Sequence, residues 1–225
     1  MSFSPAKLTK ADPDMRRTTV GWTAAAIGGS LLGLGIAYVL REKATPGPDY
    51  RILVSQNDFE IRAYPAIIVA ETVVRGSRKV ALSRGFKVLA DYSFAKTRPG
   101  EKLDMRVPVF QDAGNPMASD PPLFDDEIEG GGWRVRFTMP ADDLDALPPP
   151  PKGVTLFQVP PRRMGAVRFS GVADDDKLAA AEDSLRGWLM RHNEQGVAAE
   201  PEYAFYNSPM VPPLLRSSEV LLPLA

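Results

Sequence analysis

One stretch constrains this chain before any other: from Val20 to Leu40, VGWTAAAIGGSLLGLGIAYVL, no residue carries a charge. At about 1.5 Å of rise per residue, a helix of this length matches the roughly 30 Å hydrocarbon thickness of a bilayer. The segment reads as an uncleaved transmembrane anchor, because its apolar run exceeds the core of a secretory signal and no small-residue cleavage site closes it. Arg16 and Arg17 precede it, Arg41 and Lys43 follow it, and Trp22 and Tyr38 stand near its ends, where amphipathic rings favour the interface. Lys7, Lys10, Arg16 and Arg17 outnumber the positive charges just beyond the span. That asymmetry orients the N-terminus inside and the remainder of the chain on the non-cytoplasmic, periplasmic side of a single-pass membrane protein. Gly29, Gly33 and Ala37 recur along one helical face, a small-residue stripe suited to a homodimer contact.

The anchor divides the chain into a tail (1–19), a span (20–40), a linker (41–50) and a foldable domain (51–225). Thr45-Pro-Gly-Pro48 prevents the anchor helix from continuing. Within the domain several segments alternate with period two. Trp133, Val135, Phe137 and Met139 oppose Arg134, Arg136 and Thr138, and Leu103, Met105, Val107 and Val109 oppose Asp104 and Arg106, so both read as half-buried strands. Further strands are predicted at Phe59–Tyr64, Ile67–Val74, Val154–Val159, Ala166–Phe169, Glu202–Tyr206 and Glu219–Leu224. A helix is predicted over Arg78–Phe94, with Leu82, Phe86, Leu89 and Ser93 on one face. A second runs from a cap at Asp174–Asp176 to about His192, with a stripe of Leu178, Ala181, Leu185 and Trp188.

Placed side by side, the two halves follow one plan. A strand ends in proline (Tyr64-Pro65; Val159-Pro160), a second ends in glycine (Gly76; Gly171), and a helix and further strands follow. Duplicated strand-helix-strand halves predict an α+β fold: a pseudo-symmetric sheet covered by two helices, with a cleft where the halves meet.

Lys and Arg total 27 against 28 Asp and Glu, so no global positive field exists to hold nucleic acid. The chain has no cysteine and one histidine, which excludes disulfides, thiolate sites and a two-histidine metal centre within one chain. Gln111–Gly132 carries acidic residues and no basic one and reads as a solvated loop; Asp125, Asp126, Glu127 and Glu129 within it lack EF-hand spacing. Asp142, Asp143 and Asp145 read as a turn, and Ser170-Gly171 lacks the flanking pattern of a nucleophile elbow. Pro148–Pro151 reads as an extended connector. These features describe a binding protein and not an enzyme.

Six separated blocks resemble the SOUL haem-binding proteins, in a membrane-anchored form of bacterial type. They are Phe59-Glu-Ile-Arg-x-Tyr64-Pro65, Gly85-Phe86-x-x-Leu89-x-x-Tyr92-x-Phe94, Lys102-Leu-Asp-Met105-x-Val-Pro108-Val109, Trp133-x-Val-x-Phe137-x-Met139-Pro140, Ala166-x-x-Phe169-Ser170-Gly171, and the ending from Tyr206-Asn207 through Pro212-Pro213 to Glu219-Val220. The resemblance implies a distorted antiparallel barrel-like sheet with two helices, and haem or another tetrapyrrole in an apolar groove beside the first helix. It places Phe86 and Ala90 towards that groove with Leu89 adjacent, and Arg84 and Lys87 are near enough in sequence to meet propionates. Asp104 and Arg106 stand where the family has an alanine and a threonine, and Ala95-Lys96-Thr97 replaces its usual Gly-x-Asn. The histidine assigned as ligand in some members has no counterpart in the first half; His192 reads as a helix cap, and Met105, Met190 and Tyr92 as core. Haem without a histidine axial ligand is therefore the expected cofactor. The alternative is a non-enzymatic scaffold or effector-binding domain for a protein, lipid or other small amphipathic ligand at the membrane, with the acidic 111–132 segment as its contact.

Overall fold

Runs of Ile, Val and Phe punctuated by Pro, Gly and Asn form strands in the computed structural model, which describes residues 47, 49–104, 106–114, 132–194, 199–207 and 211–225. The anchor, its Gly29, Gly33 and Ala37 stripe, Asp125–Glu129 and Met105 lie outside the described residues. Among the described residues no helix is long and apolar enough to cross a membrane. The elements are β1 (Arg51–Gln56), β2 (Phe59–Tyr64), β3 (Ile67–Arg75), α1 (Arg78–Ser93), β4 (Val109–Gly114), β5 (Gly132–Thr138), β6 (Thr155–Val159), β7 (Arg162–Ser170), α2 (Asp175–Arg191), β8 (Glu202–Phe205) and β9 (Ser217–Leu224). Short 3-10 turns occupy Leu144–Ala146 and Pro213–Leu215.

All pairings are antiparallel, in one sheet of order β1-β2-β7-β9-β8-β4-β5-β3-β6. The order carries the duplication. Read inward from β2 it runs β2-β7-β9-β8; read inward from β6 it runs β6-β3-β5-β4, and the halves meet where β4 pairs β8. Each half thus lends its first strand to the other: β2 pairs β7, and β6 pairs β3. β1 stands outside this symmetry, a hairpin partner of β2 through Asn57, whose φ of 54° suits the left-handed turn. The sequence does not announce β1, because all six of its residues are exposed and none alternates.

α1 packs on β3 and β5, where Ile68, Ala70, Leu89, Tyr92, Val135 and Phe137 form its core; α2 packs on β7 and β9 with Ile61, Leu178, Leu185, Trp188, Leu189 and Leu222. Asp174 caps α2 as expected, its Oδ1 accepting from the Lys177 N–H at 2.9 Å. His192 is the C-cap residue, its Nδ1 2.9 Å from the Trp188 carbonyl oxygen and its ring against that indole. On the helix side Arg78, at the start of α1, reaches across the seam between the halves to the Asp175 carboxylate and the Ala173 carbonyl, over the Tyr203 ring.

Two expectations are corrected. The strand predicted from Leu103 begins only at Val109, since Pro108 has no N–H to give a ladder and the described backbone before it runs outside the sheet. β4 then continues to Gly114, so the start of the segment read as a solvated loop is a central strand, and Asp112 is buried between Arg134 and Arg136.

At Gly85 α1 lies close on the sheet. A Cβ there would lie 2.6 Å from Cγ2 and 2.8 Å from Cβ of Val135, a stiff β-branched residue in mid-strand. Gly85→Ala is therefore expected to lose about 1–3 kcal/mol to overpacking, against about 1 kcal/mol of helix propensity gained. Gly187→Ala in α2, with Arg191 Nη1 as its nearest neighbour at 3.5 Å, is expected to stabilise instead. Urea midpoints of the two variants moving in the same direction would contradict this.

Candidate functional site

Helical spacing decides which of the anticipated groove residues act together. Leu82, Phe86 and Ala90 lie four apart and share one flank of α1. Phe86 and Leu82 are half-buried against the α1 core, and the Phe86 ring meets Phe137 edge-on, centroids 5.3 Å apart at 62°. Val88, Phe94, Leu103, Ala141 and Leu156 are likewise partly buried around this core. Leu89 lies beneath, fully buried, and is core first. Ala90 is 8% exposed, at the edge of the flank.

The two cations lie three residues apart on α1. Lys87 is exposed beside the Phe86 flank and donates to Asp91 Oδ2 at 2.6 Å. That hydrogen bond, with Lys96 adding a second, holds the Asp91 carboxyl below its ordinary value. Arg84 follows Phe86 by two positions towards the N-terminus, about 160° around the helix, so it leaves α1 on the opposite flank. Lys87 stands about 100° from Phe86 around the helix, three residues after Arg84 and on the neighbouring turn, so the two cations share the solvent side of α1 while Leu82, Phe86 and Ala90 share a flank.

An apolar ridge with an exposed ammonium on the same helix suits a flat apolar ligand that carries a carboxylate. The described candidates for an iron ligand are otherwise placed. Tyr92 is fully buried and spends its hydroxyl on the Pro148 carbonyl oxygen at 2.7 Å, burial raising its pKa; Met139 is core. His192 belongs to the other half's helix, as does Met190, which is 61% exposed and not the core residue expected. Among the described residues no group of three potential metal ligands comes together.

The helix-free face of the sheet escaped the sequence reading, which assigned no role to its charges. Arg62 is 1% exposed, and its Nη1 and Nη2 donate to Glu219 at 2.7 and 2.9 Å. Glu219 also accepts from Arg168 Nε at 2.8 Å and the Tyr206 hydroxyl at 2.7 Å. Burial pushes the Tyr64 phenol, 3.2 Å from Arg62 Nη1, up to about 12, and burial beside Glu219 drives Tyr206 higher still. A second network joins Arg136 to Glu71 and Asp112, Arg134 to Asp112, and Arg162 to Glu202. For Asp112 the cost of burial outweighs both guanidiniums, and its pKa is raised. Tyr64, Phe110, Met164, Ala166, Ala204 and Leu221 form an apolar cluster on the same face. Among the described residues the buried carboxylates of this face, Asp112, Glu202 and Glu219, are each engaged by arginine, an arrangement that orders the strands.

A duplicated antiparallel sheet with one helix over each half defines an α+β fold built of two like halves. The family model described as SOUL heme-binding protein matches residues 45–223, and this chain belongs to that family. The fold is similar to that of the EcmrR C-terminal domain, at 14% identity and a TM-score of 0.53 over 78% of this chain and 98% of that one. It is similar to the same degree to a structure described as a hydrolase from Listeria innocua, at 9% identity and a TM-score of 0.53 over 77% of this chain and 94% of that one. At such identities the likeness is one of fold. A comparison with curated proteins finds no match.

Proposed function

We propose that this chain is a membrane-anchored haem- or tetrapyrrole-binding protein, a carrier, buffer or sensor without enzymatic activity. The span 20–40 holds it in the bilayer with the domain on the non-cytoplasmic side, and the ligand packs on the Phe86 flank of α1. The observation that carries this reading is the Leu82–Phe86–Ala90 ridge beside Lys87, in a chain of the SOUL haem-binding family. Binding is hydrophobic, with Lys87 released from Asp91 to meet a propionate and no protein ligand to the iron. Against catalysis stand the buried carboxylates, each already committed to an arginine.

Titrating the full chain in detergent with haemin is expected to give a saturable Soret shift at micromolar concentration. Phe86→Ala is expected to weaken binding up to about tenfold, the worth of one aromatic contact of roughly 1–1.4 kcal/mol. His192→Ala is expected to leave the spectrum unchanged. Absence of a saturable shift, or a spectrum that collapses with His192→Ala, would overturn the proposed site.

A further inference from the structure

Arg78 differs from the arginines of the sheet in what holds it. It opens α1 and crosses the seam, Nε donating to Asp175 Oδ1 at 2.5 Å and Nη2 to the Ala173 carbonyl oxygen at 3.0 Å, with the guanidinium 5.9 Å from the centre of the Tyr203 ring. Its side chain is 10% exposed, whereas that of Asp175 is 83% exposed. The carboxylates that hold Arg62, Arg136, Arg162 and Arg168 are all 21% exposed or less. An exposed carboxylate loses little by returning to water, but a guanidinium largely shut off from water must keep an acceptor. The bridge therefore has one fixed partner and one replaceable partner. Released, Asp175 remains in the first turn of α2, where a negative charge is favoured without the bridge. α1 offers Arg78 no substitute, since its own first turn carries no acid.

Arg78 is also in line with the flank that carries the proposed ligand site. Counted in fours along α1, Arg78 is followed by Leu82, Phe86 and Ala90, so the arginine begins the row that the apolar residues continue. Along the helix axis Leu82 is about 6 Å away and Phe86 about 12 Å. Lys87 stands off this row, on the solvent side, and a tetrapyrrole such as haem carries two carboxylates.

We propose that Arg78 is a carboxylate anchor: a carboxylate of an apolar ligand lying on the Leu82–Phe86–Ala90 flank takes the place of Asp175 on the guanidinium. The inference rests on the flank reading and gives that site a polar end. The incoming carboxylate takes the Nε donor that Asp175 vacates, while the Ala173 carbonyl oxygen keeps Nη2. A charge-assisted bond to a guanidinium sheltered from water is stronger than one to an exposed ammonium. Only a ligand with a carboxylate makes the exchange, which sets the chemical class that the site prefers.

Haemin and its dimethyl ester, which keeps the ring and has no free carboxylate, separate the anchor from the flank when each is titrated into the full chain in detergent. Arg78→Gln is expected to weaken haemin binding about tenfold, the worth of one hydrogen bond to a charged group. Asp175→Asn is expected to tighten it up to about fivefold, because the competing carboxylate is gone. Neither substitution is expected to change the affinity for the ester. A bridge that served only to join the halves would make both variants bind more weakly. Asp175 is exposed, so Asp175→Asn keeps the fold, and the sign of its effect decides the matter even where Arg78→Gln does not fold. An Asp175→Asn chain that binds haemin no more tightly than the parent, or an Arg78→Gln loss that is absent for haemin or equal for the ester, would overturn the anchor and leave the flank standing. A parent chain that binds neither compound would overturn both.

Discussion

A Glu219→Gln chain is expected to unfold with about 3–5 kcal/mol less free energy than the parent at pH 7, the cost of stranding a buried guanidinium. Arg62 cannot turn to water: it is 1% exposed, and Glu60 offers only its Nε a second partner. The pH dependence follows from Glu219 itself. Burial pushes its pKa up, but hydrogen bonds from Arg62 and Tyr206 and the charges of Arg62 and Arg168 outweigh burial, leaving it below its ordinary 4.5. A carboxyl depressed in the folded state adds stability that is present above its unfolded value and lost as pH falls through its folded one. The difference between the two chains should therefore be full at pH 7 and shrink below about pH 4. Urea unfolding across that range measures it, and a difference under about 1 kcal/mol at pH 7 would show that the pair contributes no more than an exposed one.

Leu89→Ala is expected to cost about 2–5 kcal/mol, because the side chain is fully buried between α1 and the sheet and its loss leaves a cavity. The same variant separates two meanings of a position that the family resemblance placed beside the ligand. If Leu89 serves the fold, its truncation lowers the urea midpoint while Phe86→Ala, half-buried, lowers it less and acts on haemin affinity. The reverse order of stability losses would make Leu89 a groove wall and Phe86 the core residue.

Elements that bury one face were legible in the sequence. The stripes of Leu82, Phe86 and Leu89 and of Leu178, Leu185 and Trp188 located both helices to within a residue or two, and Asp174 marked the start of the second. β5 followed from its alternation. β1 was not legible because period two reports a difference between faces, and an edge strand exposed on both has none. β4 was displaced because the alternation of Leu103 to Val109 continues through Pro108, where a ladder cannot. The charged side of the sheet was misjudged for a related reason. Arg62, Arg136, Asp112 and Glu219 look like outward residues until register places Asp112 opposite Arg134, Glu71 opposite Arg136, and Glu219 opposite Arg168 with Arg62 one strand beyond, and register is not written in any single strand. The groove residues divided along the same line: spacing alone joined Phe86 to Ala90, whereas the burial of Leu89 needed the sheet beneath it.

The exchange of first strands between the halves also sets the order in which the protein can come into being. β2 emerges early in synthesis, yet its inner partner β7 follows roughly a hundred residues later, and β3 waits for β6 across a comparable interval. Neither half can finish its share of the sheet while the other is still unmade. The nascent domain must stay open until nearly all of it has been translated, and closing such distant pairs makes it a slow folder.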